Sequence, residues 1–91
     1  MKELNTVLTE LGISKVRLAK YLGVSRQMLY NYLAIPDINN WPKEKAAKLL
    51  SLLNIEKIED LKTLKINGEY IIEVENRLNE GSKEGNSQEL I

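Results

Sequence analysis

The sequence predicts an all-α fold on two observations. Apolar residues recur at spacings of three and four through most of the first 64 residues, which is the period of a helix with one buried face. The apolar segments are separated by residues that commonly end helices in the left-handed conformation, Gly12, Gly23 and Asn54. We therefore predict five helices, at about residues 3–11, 15–22, 26–34, 42–53 and 57–64.

Three residues are suited to start these helices. Ser14 and Ser25 each precede a helical segment, and a serine side chain there accepts a hydrogen bond from an amide group in the first turn. Pro42 stands where the fourth helix should begin, since its fixed φ suits the first helical position. The apolar positions of the second and fifth helices are Val16, Leu18, Ala19 and Leu22, and Ile58, Leu61 and Leu64.

The segment after residue 64 is open to two interpretations. Asn67-Gly68 between apolar runs is typical of a hairpin. Ile71, Val74 and Leu78, however, lie on one face of a helix. The prediction is a domain at 1–64, a C-terminal extension at 65–80 that is either a helix (about 69–80) or a short hairpin, and a polar, disordered tail or linker at 81–91.

The composition excludes several classes of protein. The chain has no Cys and no His, so it lacks disulfides, cysteine-based zinc sites, and the commonest metal ligand and general base. We expect no metal, no cofactor, no small-molecule substrate and no enzymatic activity. No apolar run approaches the roughly 18 residues of a membrane span, and the first residues lack a secretory signal. The expectation is a cytoplasmic protein without a membrane partner.

Charge is unevenly placed although the formal net charge is zero. Residues 1–53 carry eight Lys and Arg against four Asp and Glu, and residues 54–91 carry five against nine. A basic N-terminal part suits an anionic partner. An ordinary solvated surface is the alternative interpretation of the same charges.

Residues 14–33 combine the features of a helix-turn-helix. Two helices that cross through a short turn need a small residue at their closest approach, which Ala19 supplies, and a left-handed residue in the turn, which Gly23 supplies. A plain helical hairpin, the alternative, does not need this alanine four residues before the glycine. The expected core of the motif is Leu18, Ala19, Leu22, Gly23, Val24, Leu29 and Tyr32.

The run Leu-Ala-Lys-Tyr-Leu-Gly-Val-Ser-Arg-Gln, residues 18–27, resembles the motif of the phage-repressor and Cro type of helix-turn-helix protein, the XRE family. Residues 41–61 are similar to the fourth and fifth helices of that family, so the resemblance covers about residues 3–64. It implies a lambda-repressor-like, five-helix DNA-binding domain. The chain departs from the family after the third helix, where Leu33–Pro36 replaces the acidic residue and glycine that the family often has.

The resemblance implies that the third helix enters the major groove of duplex DNA. The residues that match the family's base readers are Arg26, Gln27 and Asn31, and these side chains can pair with guanine or adenine edges. Tyr30 is expected to contact a thymine methyl group or a phosphate, or else to flank the core as a surface aromatic residue. The expected phosphate contacts are Lys15, Arg17, Ser25 and Lys43; for Arg17, a solvated helix face is the alternative.

One such module has few basic residues, and proteins of this type normally dimerise to read two half-sites. We expect a homodimer, with the acidic and apolar segment Glu69–Leu78 as the candidate contact. In the alternative, this segment covers the core of its own domain. The predicted function is sequence-specific DNA binding by a transcriptional regulator of the repressor type. The alternatives are the DNA-targeting domain of a larger recombinase or replication protein and a helical protein–protein interaction module.

Overall fold

The computed structural model describes the backbone of residues 2–86 and the side chains of residues 3–81. Over this range the domain is all-α, as predicted, and contains no strand. Its α-helices are α1 (Lys2–Leu11), α2 (Lys15–Leu22), α3 (Arg26–Ala34), α4 (Lys43–Leu53) and α5 (Gly68–Asn86). Two 3₁₀ helices, Ile38–Asn40 and Ile58–Thr63, precede α4 and α5 respectively.

The ends of the first four helices follow the local sequence. Gly12, Gly23 and Asn54 adopt the left-handed conformation, with φ of 70°, 74° and 57°, directly after α1, α2 and α4. The side chains of Ser14 and Ser25 each accept a hydrogen bond from the amide three residues later, at 3.2 Å and 3.1 Å. These predictions are confirmed, whereas the prediction for Pro42 is off by one residue: with ψ of 134° it caps α4, and Lys43 is the first helical residue.

The predicted fifth helix is a 3₁₀ helix. Its apolar residues, Ile58, Leu61 and Leu64, are spaced by three, and a 3₁₀ helix has three residues per turn, so this spacing aligns them on one side. Leu61 is buried, and Ile58 and Leu64 are half-buried against the same core. The apolar spacing was therefore a correct sign of a packed segment, but the type of helix differs from the prediction.

The C-terminal extension is the helix α5, so the hairpin alternative is wrong. The Asn67 side chain accepts a hydrogen bond from the amide of Tyr70 at 2.8 Å and so caps the start of the helix. The helix continues to Asn86, past the predicted end at residue 80. Residues 81–86, predicted as part of the tail, thus extend the helix, and residues 87–91 lie outside the described range.

Helix α5 completes the core that the earlier helices begin. Val74 and Leu78 are buried, and Tyr70 and Ile71 are half-buried against the same cluster. Among the apolar residues of the segment Glu69–Leu78, the candidate dimer contact, Ile72 alone is mostly exposed, at 62%. The packing therefore matches the alternative in which this segment covers its own domain. Residues on both sides of position 64 share one hydrophobic core.

Two side chains of α5 bind the last turn of α4. The Nε of Arg77 donates to the carbonyl oxygen of Leu52 at 2.8 Å, and the Tyr70 hydroxyl donates to that of Leu53 at 2.5 Å. The last carbonyl groups of a helix have no partner within the helix. Helix α5 therefore supplies hydrogen bonds that α4 cannot make for itself.

The Tyr70 hydroxyl makes stability sensitive to alkali. Burial raises the pKa of the Tyr70 phenol above its ordinary value of 10.0, while Arg77 lowers it and Glu73 raises it to smaller extents. The folded state thus favours the neutral phenol, so this contribution to stability is complete below about pH 10 and is lost as the pH rises through the folded-state pKa. We expect Tyr70→Phe to cost about 1 kcal/mol at neutral pH and to show a smaller loss of stability above pH 10, measured by urea unfolding.

A matched control for this measurement is Tyr30→Phe, because the Tyr30 side chain is 46% exposed. Its free energy of unfolding should stay within about 0.5 kcal/mol of wild type. Equal effects of the two variants would show that the hydrogen bond between Tyr70 and α4 is not stabilising.

Candidate nucleic-acid interface

Most residues expected to form the core between α2 and α3 are packed inside the domain. Leu18, Ala19, Leu22 and Leu29 are buried. Val24, directly after the left-handed Gly23, and Tyr32 are half-buried against the same cluster. The ring of Tyr32 also packs against Trp41, with ring centroids 5.2 Å apart. Because Trp41 is buried, it is not available to stack on a base.

One face of α3 is left for a partner. Leu29 and Leu33 are buried, so the opposite side of the helix points to solvent. The four residues predicted to contact bases, Arg26, Gln27, Tyr30 and Asn31, are all exposed. These four occupy two adjacent pairs one turn apart, and this spacing places them on a single helix face. They offer one cation, two amides and one phenol to a partner.

Three of the four predicted phosphate contacts lie at helix starts. Lys15 is the first residue of α2, Ser25 caps α3, and Lys43 is the first residue of α4. Lys15 is half-buried, and the other two are exposed. Amide groups at a helix start have no acceptor within the helix and carry a partial positive charge, so these positions suit an anion.

The start of α4 lies beside the turn that leads into α3. A Cβ atom built on Gly23 would lie 3.8 Å from the Nζ of Lys45. This ammonium group is partly buried and only 4.0 Å from the carboxylate of Glu44, at the limit of an ion pair. Lys45 thus adds a positive charge close to the turn.

The fourth predicted phosphate contact, Arg17, is held at the surface by two side chains of α5. Its Nη2 lies 2.5 Å from Glu75 Oε1 and donates a hydrogen bond to Asn79 Oδ1 at 2.9 Å. A phosphate contact by Arg17 stays a prediction, and it would require this ion pair to break. Nothing in the local sequence indicated the pairing, because the partners come from a helix far along the chain.

A second cation, Lys48, is also used within the fold. Its Nζ donates to the carbonyl oxygen of Tyr21 at 3.1 Å and lies 5.4 Å from the centre of that ring. In contrast, Lys15, Lys20, Arg26 and Lys43 have no ion pair among the residues that the structure describes. Residues 11–36, which contain both helices of the motif, include four basic and no acidic residues. The surface of α2 and α3 thus has a positive sign.

Other kinds of site find no support in the described part of the chain. Within it, no group of three or more acidic, His or Cys residues could hold a metal ion. No helix in the same range is long and apolar enough to cross a bilayer. Two open clefts border Glu3 and Leu61, and neither includes a residue of α3. The exposed face of α3 lies apart from both clefts.

Comparison of the chain with protein-family models, with curated proteins and with solved structures gives no match. The candidate interface thus depends on its own residues and geometry.

Proposed function

We propose that this chain binds duplex DNA with sequence preference by placing α3 in the major groove. The observation that carries the proposal is the exposed face of α3, formed by Arg26, Gln27, Tyr30 and Asn31. The left-handed turn at Gly23 joins this helix to α2. Arginine, glutamine and asparagine are the side chains that pair best with the purine edges displayed in that groove. A positive surface without carboxylates on α2 and α3 favours approach to the phosphate backbone.

The biological role we propose is transcriptional regulation of the repressor type, in the cytoplasm and as a homodimer. A single domain offers few unpaired cations, so two copies that read adjacent half-sites would supply the affinity that one lacks. The contact between copies is not the apolar face of α5 as a whole, since Val74 and Leu78 are buried in their own domain. A DNA-targeting domain of a larger recombinase or replication protein would use the same face of α3.

A protein-binding role is the second candidate, and one observation favours it. Met28 and Tyr30 on α3 are 43% and 46% exposed. Exposed aromatic and methionine side chains are enriched at protein interfaces. A protein partner, however, would not require the cations of α2 and α3 that have no ion pair in the described part of the chain, Lys15, Lys20 and Arg26, so we rank this candidate below DNA.

Selection of bound sequences from random duplex DNA tests the proposal. We expect enrichment of two related half-sites whose centres lie about 10 base pairs, or one helical turn, apart. We also expect binding that weakens steeply as the salt concentration rises. Failure to enrich any sequence above the random pool, at a protein concentration that gives measurable binding, would contradict sequence-selective recognition.

A further inference from the structure

The position of α3 depends on how α2 is held. Among the helices, α3 packs most extensively against α2. Helix α2 in turn packs against α4 and α5. Any movement of α2 relative to the rest of the domain would therefore move the exposed face of α3. The contacts on the far side of α2 consequently bear on the candidate interface, although they do not touch it.

Helix α5 holds α2 at two points. Near the start of α2, the guanidinium group of Arg17 contacts Glu75 and Asn79. Near its end, the ring of Tyr21 lies against Gly81 so closely that an added Cβ would be 2.5 Å from two ring atoms. The later residue of α2, Tyr21, contacts the later residue of α5, Gly81, so the two contacts follow the same order along both helices. Together they fix both the tilt and the register of α2 on α5.

The charge of Arg17 is directed toward α5 and not toward the partner. Arg17 lies two positions after Lys15, which corresponds to about 200° around a helix, so these two cations point in nearly opposite directions. The carboxylate that neutralises Arg17 comes from α5, since residues 11–36 have none. Both side chains of the pair are partly exposed, at 37% and 38%, so the pair can be altered without opening the core.

We propose that Glu75 and Asn79 are positioning residues for DNA recognition, which hold Arg17 and so keep α3 in the orientation needed to read bases. The inference rests on the proposed function and extends it to a helix outside the motif. Hydrogen bonds to base edges depend on distance and angle, whereas phosphate contacts carry no sequence information. A loosened α2 should therefore reduce sequence discrimination more than general affinity for DNA.

Glu75→Gln is the test variant, because it removes the charge and keeps the size of the side chain. We expect its affinity for the selected duplex to fall by up to about fivefold, the upper limit for a partly exposed ion pair. Its affinity for an unrelated duplex and the slope of binding against salt should stay unchanged. Glu73→Gln is the matched control: it removes one exposed charge from the same helix and should retain the discrimination of wild type.

The charge swap Arg17→Glu with Glu75→Arg separates positioning from direct contact. If the pair acts by holding α2, the swapped pair should restore discrimination. If Arg17 instead contacts phosphate, the swap should not restore it. In that case Glu75→Gln would strengthen binding to both duplexes and steepen the salt dependence by about 0.9 in the log–log slope. That result, or an unchanged ratio between the two duplexes, would overturn the proposal.

A measurement on the free protein makes the two proposals separable. Amide hydrogen exchange in α2 and α3 should be faster in Glu75→Gln than in Glu73→Gln, because a loosened helix opens more often. If wild type selects no sequence but exchange is faster in Glu75→Gln, the proposed function fails while the positioning contact stands. Equal exchange in the two variants would overturn the positioning role itself.

Discussion

The double variant Arg26→Ala with Gln27→Ala is expected to lose about 2–6 kcal/mol of affinity for the selected duplex. Each good pair between a side chain and a base edge contributes about 1–3 kcal/mol of discrimination, so the lower limit already corresponds to about thirtyfold in Kd. Both side chains are exposed at the start of α3. The variant should therefore unfold at the same temperature as wild type.

Lys62→Ala is the matched control for this loss. Like the double variant it removes one positive charge, but from the second 3₁₀ helix, where the side chain is exposed. A titration of both variants with the selected and an unrelated duplex separates base reading from charge. If the double variant, still folded, binds the selected duplex as wild type does, α3 is not the reading helix and the protein-binding candidate gains support.

Leu78→Ala is expected to destabilise the domain by about 2–5 kcal/mol, the range for removing a buried leucine side chain. Leu78 is fully buried, so its truncation leaves a cavity between α5 and the rest of the core. For a domain of this size, even the lower limit lowers the melting temperature by about 8 °C or more. Thermal unfolding measures the loss of stability. The same loss at two protein concentrations would show that it does not depend on association between copies.

The control on the same helix is Ile72→Ala, since this side chain is 62% exposed. Its effect should stay within about 0.5 kcal/mol. Similar losses for Leu78→Ala and Ile72→Ala would mean that α5 is not part of the core. A loss for Ile72→Ala that appears only at high protein concentration would instead assign that side chain to a contact between copies.

The helix boundaries in the first 53 residues could be predicted because local residues set them. A glycine or asparagine in the left-handed conformation and a serine that caps the next helix act within three or four positions. Burial of α2 was less predictable at its first turn. Val16 fits the apolar pattern of that helix, yet its side chain is 46% exposed. Periodicity gives the average direction of a face, whereas the end of a helix often extends past the core.

The start of α5 shows why one local signal can have two outcomes. Asparagine followed by glycine favours a tight hairpin turn, and asparagine also favours the capping position of a helix. Asn67 takes the second role, and the helix that it caps buries Val74 and Leu78. Whether Asn67 starts a helix or a hairpin depends on packing with the rest of the core, and the local sequence carries no information about that packing.

The sequence predicted which residues lie on the exposed face of α3. It did not predict which cations of the candidate interface are paired within the protein. The exposed face of α3 follows from the spacing of Leu29 and Leu33. The pairing of Arg17 with Glu75, in contrast, joins segments that only the folded chain brings together. Charge counts along the sequence therefore overstated the number of cations available to a partner.

The contact between Arg17 and Asn79 joins positions separated by 62 residues. During synthesis, α2 and α3 therefore leave the ribosome well before the segment that holds α2 in place. Contacts of such long range also form late, because closing a large loop costs entropy before the contact stabilises it. We therefore expect α3 to take its final orientation late in folding, once α5 has docked.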